Sequence, residues 1–271
     1  MWKKVGFLRD LWLVAPIMKR QASPDKDSRR AAWGTGLVGL GLLLLLTACS
    51  SSQRVLDLSP RPLIHRGEVM AIAEAYARHR WKPTRANVRH GPDARGIRVD
   101  TPDVDYHPVD GTVAGWWLPG RWNEGLPYQW GGFDTPTEFD AKVKQGLAAG
   151  DVYTPVKRAG LEAQVSAEAA GIDCSGLVSR CWRLERSYST RELPGLCSRL
   201  GSYEELLPGD ILNTHNAHVL IFAGWANPAQ TRVGVYEAGC HPTWKVFRRQ
   251  VRREFLEAKG YVPLRYRGLR D

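Results

Sequence analysis

Gly171-Ile172-Asp173-Cys174-Ser175-Gly176-Leu177-Val178-Ser179-Arg180-Cys181-Trp182 is the stretch that decides how this chain is read. Leu177, Val178, Cys181 and Trp182 recur at helical spacing, so a helix is expected to begin at about Cys174 and to bury that face. Asp173, Ser175 and Gly176, polar or small, flank Cys174 and argue against a purely structural core seat for it. A cysteine at a helix amino terminus meets unpaired backbone N–H groups and the positive end of the helix dipole. Both stabilise a thiolate, the attacking form. The same N–H groups can hold the oxyanion that forms when a carbonyl is attacked.

Downstream, Pro208-Gly209-Asp210 turns the chain into a strand at Ile211-Leu212-Asn213. A short turn then leads to the apolar strand His218 to Ala223, and Arg232 to Ala238 alternates like another strand. A helix followed by an antiparallel sheet is an α+β order. His218 opens a buried strand after a turn, where its ring can take a proton from the thiol and later protonate a leaving amine. His215, in that turn, reads as a solvated loop residue, and His65, His79, His90 and His107 lack paired spacing. With no Cys-x-x-Cys and no His-Glu-x-x-His, neither a metal nor a cofactor is expected. The Arg-rich tail from Arg248 to Arg270 reads as a solvated face.

Upstream, Val69, Ile72 and Tyr76 predict a helix over Gly67 to Trp81, ended by Lys82-Pro83. Asn87 to Asp110 reads as loops with short strands. Trp116, Trp117, Trp122, Tyr128 and Trp130 crowd one short segment; they could line a groove, but Trp116, Trp117 and Trp130 are read as core. A further helix is expected near Thr137 to Ala149.

At the amino terminus, Arg29 and Arg30 precede an apolar run from Ala31 to Leu46 that ends in Leu46-Thr47-Ala48-Cys49. That is the order of an export signal, in a run shorter than the roughly 20 residues of a membrane-spanning helix. Leu-Thr-Ala-Cys followed by Ser50-Ser51-Ser52 resembles the lipobox of bacterial lipoproteins, which implies that Cys49 carries lipid and becomes the first residue. Met18-Lys19-Arg20 would make a better start than Met1, and Ser28-Arg29-Arg30 weakly suggests twin-arginine export. Residues 1–48 hold eight Lys/Arg and three Asp/Glu, so cleavage would reduce the net charge from +10 to +5. A mildly basic exported protein suits an anionic envelope and does not demand nucleic acid. Residues 50–62 read as a tether. With Cys49 lipidated and Cys174 a thiol, at most one disulfide can form among Cys181, Cys197 and Cys240.

Pro127-Tyr128-Gln129-Trp130-Gly131-Gly132, Asp173-Cys174-Ser175-Gly176-Leu177-Val178, Leu207-Pro208-Gly209-Asp210 and His218-Val219-Leu220-Ile221-Phe222 stand in the order found in the NlpC family of papain-like cell-wall peptidases. Ser189-Thr190-Arg191-Glu192-Leu193-Pro194 resembles that family's link between the cysteine helix and the Pro-Gly-Asp turn. The resemblance covers about residues 120–240. It implies a papain-like α+β domain, 120–271, behind an amino-terminal extension, 63–119. It further implies Cys174 as nucleophile and His218 as base, with Tyr128, Asp173 and Ser175 as substrate-binding neighbours. Family members often place a histidine in an Ile-His-Ala context on the next strand. This chain reads Val235-Tyr236-Glu237-Ala238 there, so Glu237 matches, with His241 in the following loop as the rival. A carboxylate on the far nitrogen of His218 would orient the ring. Residues 133–170 are longer than the family's usual loop, and this insertion is expected to lie beside the groove.

The implied function is hydrolysis of an amide bond in peptidoglycan stem peptides, by default the bond after γ-D-glutamate. The protein would be held on a membrane by the Cys49 lipid, and the resemblance of Ser50 (rather than Asp) to the same position in sorted lipoproteins implies the outer membrane facing the periplasm. Two rivals share these residues: a thiol amidohydrolase or acyltransferase on another envelope substrate, and a catalytically silent envelope-binding lipoprotein.

Overall fold

The computed structural model describes residues 57–107, 115–239 and 243–271. The expected export signal, Cys49, Cys240 and His241 lie outside them. The chain opens with β1 (Ile64–His65) and α1 (Arg66–Arg78), followed by β2 (Arg80–Trp81), β3 (His90–Pro92), β4 (Arg98–Asp100) and β5 (Asn123–Glu124). Next come α2 (Pro136–Lys144), β6 (Ala148–Ala149), α3 (Pro155–Gly160), β7 (Ala169–Ala170) and the cysteine helix α4 (Cys174–Cys181). The carboxy-terminal half holds β8 (Cys197–Arg199), β9 (Ile211–Thr214), β10 (His218–Trp225) and β11 (Arg232–Ala238). It ends with β12 (Val246–Arg252), α5 (Arg253–Ala258), β13 (Val262–Tyr266) and β14 (Leu269–Arg270).

The architecture is α+β. Six strands form one antiparallel sheet in the order β12-β11-β10-β9-β13-β8. α1 and α4 pack on each other; α1 also meets β11 and β12, and α4 meets β10 and β11. α4 buries Leu177, Val178 and Cys181, and Trp182, which caps its end, is buried too, as the spacing implies. The tail expected to be a solvated face instead supplies β12, α5 and β13, and β13 lies inside the sheet between β9 and β8. Along β12, Val246 and Val251 are buried while Arg248, Gln250 and Arg252 are exposed. The arginines conceal a strand whose apolar positions are few.

Two expected helices end early. α1 stops at Arg78, because Arg80 and Trp81 pair with Glu124 and Asn123 and the Trp81 indole donates to the Gly125 carbonyl at 2.9 Å. α2 stops at Lys144, and Gly146, at φ +88°, turns the chain so that Ala148–Ala149 can pair with Ala169–Ala170. Leaving a helix through a left-handed glycine costs little, since no Cβ is present to clash.

The amino-terminal extension is part of the same body as the sheet. Residues 57–271 form one compact unit. The buried Asp210 carboxylate pairs with Arg66 of α1 at 3.0 Å and with Arg265 of β13 at 2.7 Å. It also accepts from the Leu207 N–H, which closes the Pro-Gly-Asp turn. The last part of the expected tether is docked as well. Buried Arg183, just after α4, pairs with Asp57 at 2.8 Å and Glu68 at 3.3 Å and donates to the Ser59 carbonyl at 2.8 Å. Arg183→Met should therefore lower unfolding stability by about 2 kcal/mol, the scale of lost charge-assisted hydrogen bonds. It should also expose residues 57–62 to limited proteolysis. Urea unfolding with mass analysis of early cuts checks both outcomes.

Candidate active site

Asp173 caps α4: its carboxylate accepts from the Gly176 N–H at 2.5 Å and from the Ser175 hydroxyl at 3.0 Å. Burial pushes this carboxyl up, and its hydrogen bonds with Gly176, Ser175 and Gly131 oppose the shift. The first intrahelical bond runs from the Leu177 N–H to the Asp173 carbonyl. Cys174, Ser175 and Gly176 precede it, so their N–H groups have no partner within the helix. Gly176 and Ser175 turn theirs to the Asp173 carboxylate, which leaves the Cys174 N–H for an oxyanion.

The Trp-Gly-Gly segment explains why α4 starts where it does. The Asp173 N–H donates to the Gly132 carbonyl at 3.1 Å. A Cβ added at Gly176 would stand 2.3 Å from that same carbonyl oxygen, and one at Gly132 2.6 Å from the Gly171 carbonyl oxygen. Two backbones meet here at a distance that only glycine permits. Tyr128 belongs to this junction. It bridges to Ile172, packs edge-on against Trp244 with ring centroids 5.9 Å apart, and is 4% exposed. Tyr128 and Ser175 are buried beside the helix start, and Asp173 is half-buried there.

β9 and β10 are joined by a tight turn with Asn216 at φ +56°, a left-handed conformation that Asn tolerates. His215 is exposed in that turn, while His218 is 4% exposed. Ile221 pairs with Tyr236, so strand alternation puts Leu220 opposite Glu237 and His218 diagonal to it on one face. His218 Nε2 lies 2.7 Å from Glu237 Oε2. The ring also hydrogen-bonds Cys174, and with Nε2 on Glu237 the Nδ1 edge is left to serve the thiol. Burial alone would push the imidazole down. The charge and hydrogen bond of Cys174, then those of Glu237, outweigh it and lift His218 to about 10. Glu237, 1% exposed, moves oppositely: burial draws it up, but the His218 hydrogen bond and the Arg249 charge hold it below the usual carboxylate range.

The structure therefore brings Cys174, His218 and Glu237 together, and Glu237 takes the position beside the imidazole for which His241 was the rival. Sequence reasoning missed Arg249, whose Nε donates to Glu237 Oε1. On β12, Glu237 pairs with Phe247, so Arg249 is the diagonal neighbour on the same face. Only the register of a strand hidden among arginines would have revealed it.

The expected insertion, residues 133–170, reaches the same region: Arg158 of α3 donates to the Asn216 carbonyl, in the turn that leads to His218. Inside the insertion, Lys157 and Asp151 form a buried ion pair. Arg180 binds the Phe133 carbonyl at 2.6 Å and Glu138 at 3.0 Å, tying α2 to α4. Cys181 and Cys197 are buried free thiols; burial pushes Cys181 far up and Cys197 up to about 12. No helix among the described residues is long and apolar enough to cross a membrane. No family model and no curated protein matches the chain.

Cys174 should be alkylated by iodoacetamide at least about tenfold faster than Cys181 or Cys197 at neutral pH, because it alone has an imidazolium partner. Gly176→Ala should remove most of that advantage by pushing α4 away from Gly132. Peptide mapping after timed alkylation measures both.

Proposed function

We propose that the protein is a cysteine peptidase of papain-like design that hydrolyses amide bonds in peptidoglycan stem peptides from the cell envelope. The observation that carries the reading is His218, buried between a carboxylate and a thiol at a helix start. A silent binding protein has no use for a buried imidazolium aimed at a cysteine. The motif resemblance to the NlpC family supplies the substrate class, and the Cys49 lipobox supplies the membrane anchor.

In this reading the Cys174 thiolate attacks the scissile carbonyl carbon. An S–C bond forms, and the carbonyl π pair moves to oxygen, where the Cys174 N–H meets it. As the tetrahedral species collapses, the C–N bond breaks and His218 gives its proton to the departing amine. Water then attacks the thioester carbonyl and His218 takes a proton from it. The C–S bond breaks, releasing the acid and restoring the thiolate–imidazolium pair. Glu237 touches neither substrate nor thiol; it holds the ring and favours its charged form, as the acidic member of other triads does.

The test is incubation with purified peptidoglycan and mass analysis of released fragments. Stem-peptide fragments cut after γ-D-glutamate support the reading, whereas release of sugars alone, or of nothing, overturns it. Cys174→Ala and His218→Ala should abolish release, while Glu237→Gln should weaken it by about a hundredfold or more without abolishing it. Activity needs the imidazolium, so it should fall as pH rises through about 10. Glu237→Gln removes a negative charge from the ring, so its fall should come about one to three pH units lower. Cys49→Ser should leave a chain that takes up no labelled lipid.

A further inference from the structure

Four charge-bearing side chains stand in a row across four elements. Cys174 lies at the start of α4, His218 on β10, Glu237 on β11 and Arg249 on β12. Glu237 is fully enclosed and each of its oxygens has a separate cationic partner: Oε2 meets His218 and Oε1 meets the Arg249 Nε–H. The guanidinium itself is only partly covered, its side chain 26% exposed. Its Cζ lies 6.0 Å from the centroid of the Phe247 ring. We infer that Arg249 is a positioning residue for the amide hydrolysis proposed above, fixing the Glu237 carboxylate so that its second oxygen is aimed at His218.

The argument is geometric first. A carboxylate held at one oxygen can turn about its last bond; one held at both cannot. Diagonal pairing on both sides of β11 sets the separation without help from a loop. Charge works in the same direction. In the thiolate–imidazolium form of the proposed reaction, thiolate, imidazolium, carboxylate and guanidinium alternate in sign, so these four side chains together carry no net charge. Without Arg249 the remaining three hold one excess negative charge in a poorly solvated place.

Other charged groups are sorted by strand alternation. Tyr236, one residue before Glu237, faces the opposite side of the sheet. There it donates to Glu74 of α1 at 2.6 Å and lies under the Arg248 guanidinium, with Arg78 beside Glu74. Among the described residues, the charged groups on the Glu237 side are His218 from β10, Arg249 from β12, and Cys174 with its Asp173 cap from α4. Arg248 is therefore the natural control: the same residue type, one position away, on the other face.

The test uses the full chain and one purified stem peptide, with kcat and KM measured across pH. Arg249→Met should lower kcat about tenfold to a hundredfold with KM within about twofold, the scale of a catalytic group slightly misplaced. Removing a cation makes the imidazolium hold its proton to higher pH, so the alkaline fall should move up by about one unit. That direction is opposite to the shift expected for Glu237→Gln. Arg248→Met should change neither. Arg249→Lys keeps the charge but loses the planar fork, so its alkaline fall should stay in place while kcat drops about tenfold. This variant carries the test alone if Arg249→Met does not fold. Wild-type kcat in either variant, or a lost rate in Arg249→Met with the alkaline fall unmoved, overturns the inference. A wild-type chain that cleaves no stem peptide, and alkylates at Cys174 no faster than at Cys181 or Cys197, removes the proposed function itself.

Discussion

A carboxylate and an imidazole buried against each other between two adjacent strands are the constraint on which the rest of the site depends. Glu237 and His218 would each be costly to bury as ions alone. Paired at 2.7 Å, with a thiol on one side and a guanidinium on the other, they become tolerable. Their separation comes from sheet register rather than from a flexible loop. A one-residue slip of β11 would turn Glu237 to the far face. The pairing of β11 with β12 along seven residues guards against that slip.

The cysteine is delivered by a different device. α4 is docked on the Trp-Gly-Gly turn through contacts between backbones, so its first residue has little room to drift. Asp173 takes up the donors next to Cys174, and in the proposed reaction the Cys174 N–H meets the oxyanion. The extension and insertion brace this arrangement from outside. α1 is tied through Arg66 to Asp210, whose turn hydrogen-bonds β10 through Phe222. The insertion reaches the turn before His218 through Arg158. Segments that look like additions to a smaller domain are thus connected to β10 and to the turn that precedes it, which together position His218.

Much of this was legible because the signals were local. The polar, small residues around Cys174 and the apolar face behind them place the helix start, and alternation from Val233 to Glu237 places an acid at a strand end. Less was legible where a residue's role depends on a distant partner. Arg249 looks like one arginine among many until the β11–β12 register puts it diagonal to Glu237. β13 enters the sheet between β9 and β8 through Pro263 and Leu264, too short an apolar signal to stand out. Tyr128 could be placed near the thiol from its motif, but its burial against Trp244 depends on a residue more than a hundred positions away. Residues 57–62 carry the Pro-rich composition of a linker, yet Arg183 pins them.

The central claim is that His218 is held as an imidazolium by its two neighbours at the pH where the protein works. Histidine-selective carbon labelling of the full chain, with the His218 signal assigned by its loss in His218→Gln, reads this directly through an NMR pH titration. The account predicts a ring that stays protonated through neutral pH and titrates near 10. A midpoint near the ordinary value of about 6.5 would contradict it.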